Sequence, residues 1–143
     1  GDLPSAETHL RDAIAIGDET WPVAAGVFSG SLALIRAQQG AFDEARALLS
    51  QGEPQVRGVD KPELGKLLCK RCRIEHGAGN LPAARAALDE AKTIAAEVEG
   101  FGHSELGKAI DEAQQLSLHS NTSWCMRVPP PAEIRLMSMK IAL

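Results

Sequence analysis

The sequence predicts an all-α protein: a right-handed stack of antiparallel helical hairpins closed by a terminal capping helix. Three observations carry that expectation. One amphipathic pattern recurs three times at a constant spacing of 39 residues. The apolar fraction, 44% of 143 residues, is mostly Ala and Leu, with aromatics at only 3%. Small apolar residues suit close helix–helix contact, whereas sheets favour β-branched and aromatic ones. Finally, Glu63-Leu64-Gly65-Lys66 reappears as Glu105-Leu106-Gly107-Lys108, marking a third copy of one kind of helix.

The repeat begins at Gly1-Asp2-Leu3-Pro4-Ser5-Ala6, at Gly40-Ala41-Phe42-Asp43-Glu44-Ala45 and at Gly79-Asn80-Leu81-Pro82-Ala83-Ala84. Matched positions keep their character beyond each start. They are Leu3, Phe42 and Leu81; Ala6, Ala45 and Ala84; Leu10, Leu49 and Leu88; and Ala13, Gly52 and Ala91. Offsets of three and four residues place these on one helical stripe. Asp2, Asp43 and Asn80 stand where a short polar side chain caps orphan N–H groups. Pro4 and Pro82 suit a first helical turn.

A second helix precedes each of the last two starts, with Gly26 falling 14 residues before Gly40 and Gly65 the same distance before Gly79. The expected helices are 4–16, 22–38, 42–51, 62–77, 82–98 and 104–118. Helix 42–51 is expected to be short or kinked, because Gly52-Glu53-Pro54 follows and an interior proline costs on the order of 3 kcal/mol. Helix 104–118 has no partner hairpin after it and reads as the cap that a repeat stack requires. Two segments result: a helical repeat domain, 1–118, and a proline-containing tail, 119–143.

Gly79-Asn80-Leu81 with Ala84, Leu88 and Ala91, and Gly40-Ala41-Phe42 with Ala45 and Leu49, resemble the tetratricopeptide repeat (TPR). That family's pattern is a Gly-polar-aromatic/Leu turn followed by Ala at the close helix crossing. The period of 39 exceeds the family's usual length of about 34, and Arg71-Cys72 stands where the family carries Leu-Gly. The longer period and the Glu-Leu-Gly-Lys helix are similar to the last repeats of large bacterial multi-repeat proteins, often joined to signalling or ATPase modules. The resemblance covers residues 1–118. It implies an α-solenoid fragment that binds other proteins and is not an enzyme.

Composition narrows the function classes. The net charge of −4 gives no general drive toward nucleic acid or anionic membrane. No run of about 18 apolar residues is present, so no membrane span is expected. The N-terminus lacks the pattern of a signal peptide, and three cysteines, an odd and small number, point to a reducing, cytoplasmic setting. Gly1-Asp2-Leu3-Pro4 reads as the middle of a repeat, so the chain is expected to be a piece of a longer protein.

No arrangement for covalent or acid–base catalysis is visible. Phe28-Ser29-Gly30-Ser31 does not match a nucleophile elbow, and the glycine turns lack the Lys-Ser/Thr of a phosphate loop. Cys69-Lys70-Arg71-Cys72 is a C-x-x-C motif with His76 four residues on, and the three could face one zinc ion with His103, His119 or Cys125 as a fourth ligand. Redox C-x-x-C pairs sit at helix N-termini, whereas this one falls mid-helix. The favoured reading is therefore two buried small hydrophobes; neither metal nor cofactor is expected.

What the TPR resemblance implies is a concave groove lined by the first helix of each hairpin. Carried onto this sequence, it takes Val27, Gly30 and Leu34 from helix 22–38. It takes Lys66, Cys69 and Arg73 from helix 62–77, and Lys108, Asp111 and Gln115 from helix 104–118. The groove would be apolar at one end and cationic at the other, within the basic run Lys61, Lys66, Lys70, Arg71 and Arg73. The paired asparagines of a chaperone-type carboxylate clamp are absent from these helices. The expected partner is a protein or peptide segment; the alternative is a packing or oligomerisation segment of a larger signalling protein, without a groove ligand. The tail holds Pro129-Pro130-Pro131, Trp124, Cys125 and all three methionines. Its apolar content, with the exposed edge expected of helix 4–16, predicts self-association edge to edge or by tail exchange.

Overall fold

The computed structural model describes residues 2–98 and 104–118. They form six helices: α1 (Leu3–Thr20), α2 (Pro22–Gln38), α3 (Phe42–Val56), α4 (Lys61–Gly77), α5 (Leu81–Glu97) and α6 (Glu105–Leu118). No strand occurs among the described residues. The expected tail, 119–143, lies outside them.

Helix starts follow from local chemistry. Asp2 accepts from the Ser5 N–H, Asp60 from Glu63 (2.9 Å), Asn80 from Ala83, and the Ser104 hydroxyl from Gly107 (3.1 Å). A proline occupies the first turn of α1, α2, α4 and α5, where its missing N–H is lost without cost. Asp43 departs from expectation: the N-cap of α3 is Ala41, and no side chain caps the helix. Asp43 lies two positions past the cap, too far into the helix to serve as one, and pairs with Arg46 instead (3.4 Å).

Two helix ends close identically, 39 residues apart. After α2, Gly40 N–H bonds to the Ala37 carbonyl and Ala41 N–H to Arg36; after α4, Gly79 bonds to His76 and Asn80 to Glu75. Gly40 and Gly79 adopt φ of 81° and 79°, the left-handed conformation this closure needs and which glycine adopts without penalty.

Helix α1 extends four residues beyond the expected 4–16. Helix α3 does not stop at residue 51: it runs through Pro54 to Val56. Pro54 falls in the last turn, where the carbonyl it deprives belongs to Ser50, an exposed residue open to water. The continuation also brings Gly52 against Gly26. A Cβ on Gly26 would lie 2.5 Å from the Gly52 carbonyl oxygen, and one on Gly52 would lie 2.8 Å from the Gly26 carbonyl oxygen. The two backbones touch, which only glycine at both positions permits.

Packing runs along the chain. Helix α2 lies against α1, α3 and α4; α4 lies against α2, α3, α5 and α6; α5 also touches α6. The most extensive contacts join α2 with α3 and α4 with α5. Most of the apolar stripe is covered, while Leu3 and Leu81 at the helix starts are 45% and 50% exposed: Ala45 and Leu49 of α3, and Ala84, Leu88 and Ala91 of α5, are buried. Their counterparts Ala6, Leu10 and Ala13 in α1 are half-buried, since α1 packs chiefly on one neighbour. Helix α4 is central, burying Leu64, Leu67, Leu68, Cys69, Cys72 and Ile74.

Candidate functional site

The α2–α4–α6 side holds a cleft of about 190 Å³ between α4 and α6, lined by Lys66, Cys69, Lys70, Arg73, Lys108 and Ala109, with Glu105 and Glu112. Four of the sequence-predicted groove residues, Lys66, Cys69, Arg73 and Lys108, converge there. Gly30 contributes by what it lacks: an added Cβ would collide with the Leu67 side chain and lie 3.3 Å from Lys70 Cδ. Its absence lets α4 close on α2, so that Lys70 Nζ donates to Ser31 Oγ at 3.0 Å.

The remaining predicted residues are placed differently. Val27 and Leu34 are half-buried and pack against the core, forming wall rather than open groove. Asp111 and Gln115 are exposed on α6 and do not line the cleft. Cys69, 2% exposed, is the cleft's floor; burial, then the neighbouring Cys72, pushes its thiol up to about 12.

The basic run divides by partner. Lys61 pairs with Glu97 (2.7 Å), Lys66 with Glu63, and Arg71 with Glu53 (2.6 Å). Lys108 pairs with Glu105 (3.0 Å) and holds that carboxyl below the usual carboxylate range. Lys70 and Arg73, both half-buried, have no carboxylate within ion-pair distance among the described residues. Burial pushes the Lys70 ammonium pKa down, the mark of a cation held partly out of water.

The opposite side is neutralised. A cleft of about 380 Å³ among α3, α4 and α5 is flanked by Arg46 and Arg71. Arg46 grips Glu75 through two bonds of 2.9 and 2.8 Å, and the Glu75 carboxyl is held below its ordinary range by them. Arg57 bridges Glu53 and Glu90 at 2.6 and 2.8 Å.

Sequence reasoning placed Lys70 in the basic run but not in the site, and it missed Ser31. A usable signal existed: Ser31 and Lys70 are 39 residues apart, the spacing at which the sequence pattern recurs. Cys69, Cys72 and His76 do share α4, all buried. Both cysteines are free thiols, and burial pushes the Cys72 thiol pKa up. Among the described residues no three His, Cys, Asp or Glu side chains are placed to hold a metal ion; His103, His119 and Cys125 lie outside those residues. No helix described is long and apolar enough to cross a membrane.

No family model, characterised protein or solved structure matches the chain.

Proposed function

We propose that the chain is a TPR-like repeat fragment, a right-handed α-solenoid piece capped by α6, and that its α2–α4–α6 face binds an acidic segment of another protein. The role is that of an adaptor or scaffold in the cytoplasm, not of an enzyme. One observation carries the reading: among the described residues Lys70 and Arg73 are half-buried in a cleft with no carboxylate within ion-pair distance, although Glu105 and Glu112 also line it, while the half-buried Arg36, Arg46, Lys66 and Arg71 each have an ion-pair partner. A cation drawn partly out of water is disfavoured unless an anion faces it. An incoming carboxylate would supply that anion, and Ser31 holds Lys70 ready for it. The identical helix closures 39 residues apart support a repeating unit.

The test is fluorescence anisotropy with a labelled Asp/Glu-rich peptide and its Lys-substituted counterpart. The acidic peptide binds and loses affinity as salt rises. Lys70→Glu with Arg73→Glu weakens it by about tenfold or more, roughly 1.4 kcal/mol. Lys92→Glu, on the exposed side of α5, leaves it unchanged. Equal binding of both peptides, or indifference to the α4 double substitution, would remove the reading.

A second reading, a packing or oligomerisation segment, is favoured by one observation. Leu3, Ile16 and Trp21 at the α1 edge are 45%, 65% and 66% exposed.

A further inference from the structure

Six charged side chains line the cleft between α4 and α6, and their partners sort them. Lys66 is tied to Glu63, and Lys108 to Glu105, by bridges within single helices. Glu112 is exposed on α6 and outside ion-pair distance of every cation among the described residues, so water and salt screen its charge. Lys70 and Arg73 remain. Both are half-buried and stand three positions apart on α4, a spacing that puts them on the same helical face. Two like charges held side by side and partly out of water disfavour one another.

The hydrogen-bond donors left over exceed what a carboxylate can accept. Arg73 has no hydrogen-bond or ion-pair partner among the described residues, so its whole planar fork of N–H groups is available. Lys70 Nζ donates to Ser31 Oγ at 3.0 Å, and the rest of its ammonium is free to donate. A carboxylate brings a single charge on two oxygens. A phosphate monoester brings about −1.5 to −2 charges at pH 7 and three strong acceptor oxygens. It can take the guanidinium fork through a bidentate pair and still offer an oxygen to the ammonium.

We propose, resting on the acidic-segment reading, that the group taken by this cleft is the phosphate of a phosphorylated serine or threonine in the partner. Lys70 and Arg73 hold the phosphate, and Ser31 keeps Lys70 turned toward it. The cleft volume of about 190 Å³ falls below the roughly 300–1,000 Å³ of small-molecule pockets, which suits a head group presented on a chain. Two cations in a recess, on a chain of net charge −4, do not make the extended basic surface that nucleic acid or an anionic membrane needs. Phosphorylation of the partner would then switch the interaction on.

The experiment is fluorescence anisotropy on the full chain with three labelled peptides of one sequence, carrying phosphoserine, Glu or Ser at the same position. The phosphopeptide is expected to bind about tenfold tighter than the Glu peptide, with the Ser peptide weakest. Its affinity should rise between about pH 5.5 and 7.5, as the phosphate loses its second proton near pH 6, while that of the Glu peptide stays flat. Arg73→Lys, which keeps the charge without the fork, weakens the phosphopeptide severalfold while circular dichroism stays helical. Glu112→Gln, at an exposed position, tightens it. Equal affinity for the phosphoserine and Glu peptides would overturn the phosphate assignment and leave the acidic-segment reading standing; binding of neither would remove both. Displacement of the phosphopeptide by vesicles containing a phosphorylated inositol lipid, but not by neutral vesicles, would assign the cleft to a membrane and overturn it too.

Discussion

At the scale of single residues, small side chains decide how close the helices come. Ala45 and Ala84, 0% and 2% exposed, hold equivalent places in α3 and α5. Neither site has room for three more carbons, so Ala45→Leu and Ala84→Leu are each expected to destabilise by about 1–3 kcal/mol through overpacking. Urea midpoints equal to wild type would contradict the packing described. Cys69 provides a pH readout. Its thiol titrates near 9.0 when unperturbed but is pushed up to about 12 by burial in the fold. A raised pKa means that the folded state keeps the proton more firmly. This contribution is fully present below pH 9 and is lost as pH rises toward 12. Wild-type stability should therefore fall between pH 9 and 11 more steeply than that of Cys69→Ala, followed by urea unfolding at each pH.

At the scale of elements, what was legible in the sequence is what local chemistry dictates. The six helices, the left-handed turn glycines and the first-turn prolines follow from side-chain type and spacing. The end of α3 was not legible, because propensity counts Pro54 as a break while tertiary contact rewards the extra turn that seats Gly52 on Gly26 and buries Val56. The site was legible in part for a similar reason. Lys66, Arg73 and Lys108 were expected together from the tetratricopeptide resemblance and do line one cleft, but which cations stay unpaired depends on the carboxylates across the helix interfaces. Glu53 of α3 takes Arg71 and Glu97 of α5 takes Lys61, and no periodicity reports that. Helix α4, which lines the candidate cleft, is capped by Asp60, whose carboxylate accepts the Glu63 N–H. Asp60→Ala should cost about 1 kcal/mol. In thermal denaturation with hydrogen exchange, the loss should appear first at the α4 N-terminus; unchanged protection there would show that the cap does not hold the helix.

At the scale of the whole molecule, the two sides have different electrostatic characters. The α3–α5 side ties its arginines to Glu53, Glu75 and Glu90. In the α4–α6 cleft, Lys70 bonds to Ser31, and neither it nor Arg73 has a carboxylate within ion-pair distance among the described residues. The α1 edge differs again, with Ile16 and Trp21 exposed. An apolar edge of this kind favours association between copies. Sedimentation at micromolar concentration is expected to show a reversible oligomer that Ile16→Glu returns to monomer. A wild-type chain monomeric throughout would remove α1 as a contact surface.

The central claim, that the α2–α4–α6 side is the binding surface, is tested most directly by mapping amide chemical shifts while an acidic peptide is titrated into the labelled full chain. The account predicts saturable shifts concentrated at Ser31, Lys66, Lys70, Arg73 and Lys108, with the amides around Arg46, Arg57 and Glu90 unmoved. Shifts centred on the α3–α5 side, or spread evenly over the surface, would contradict it.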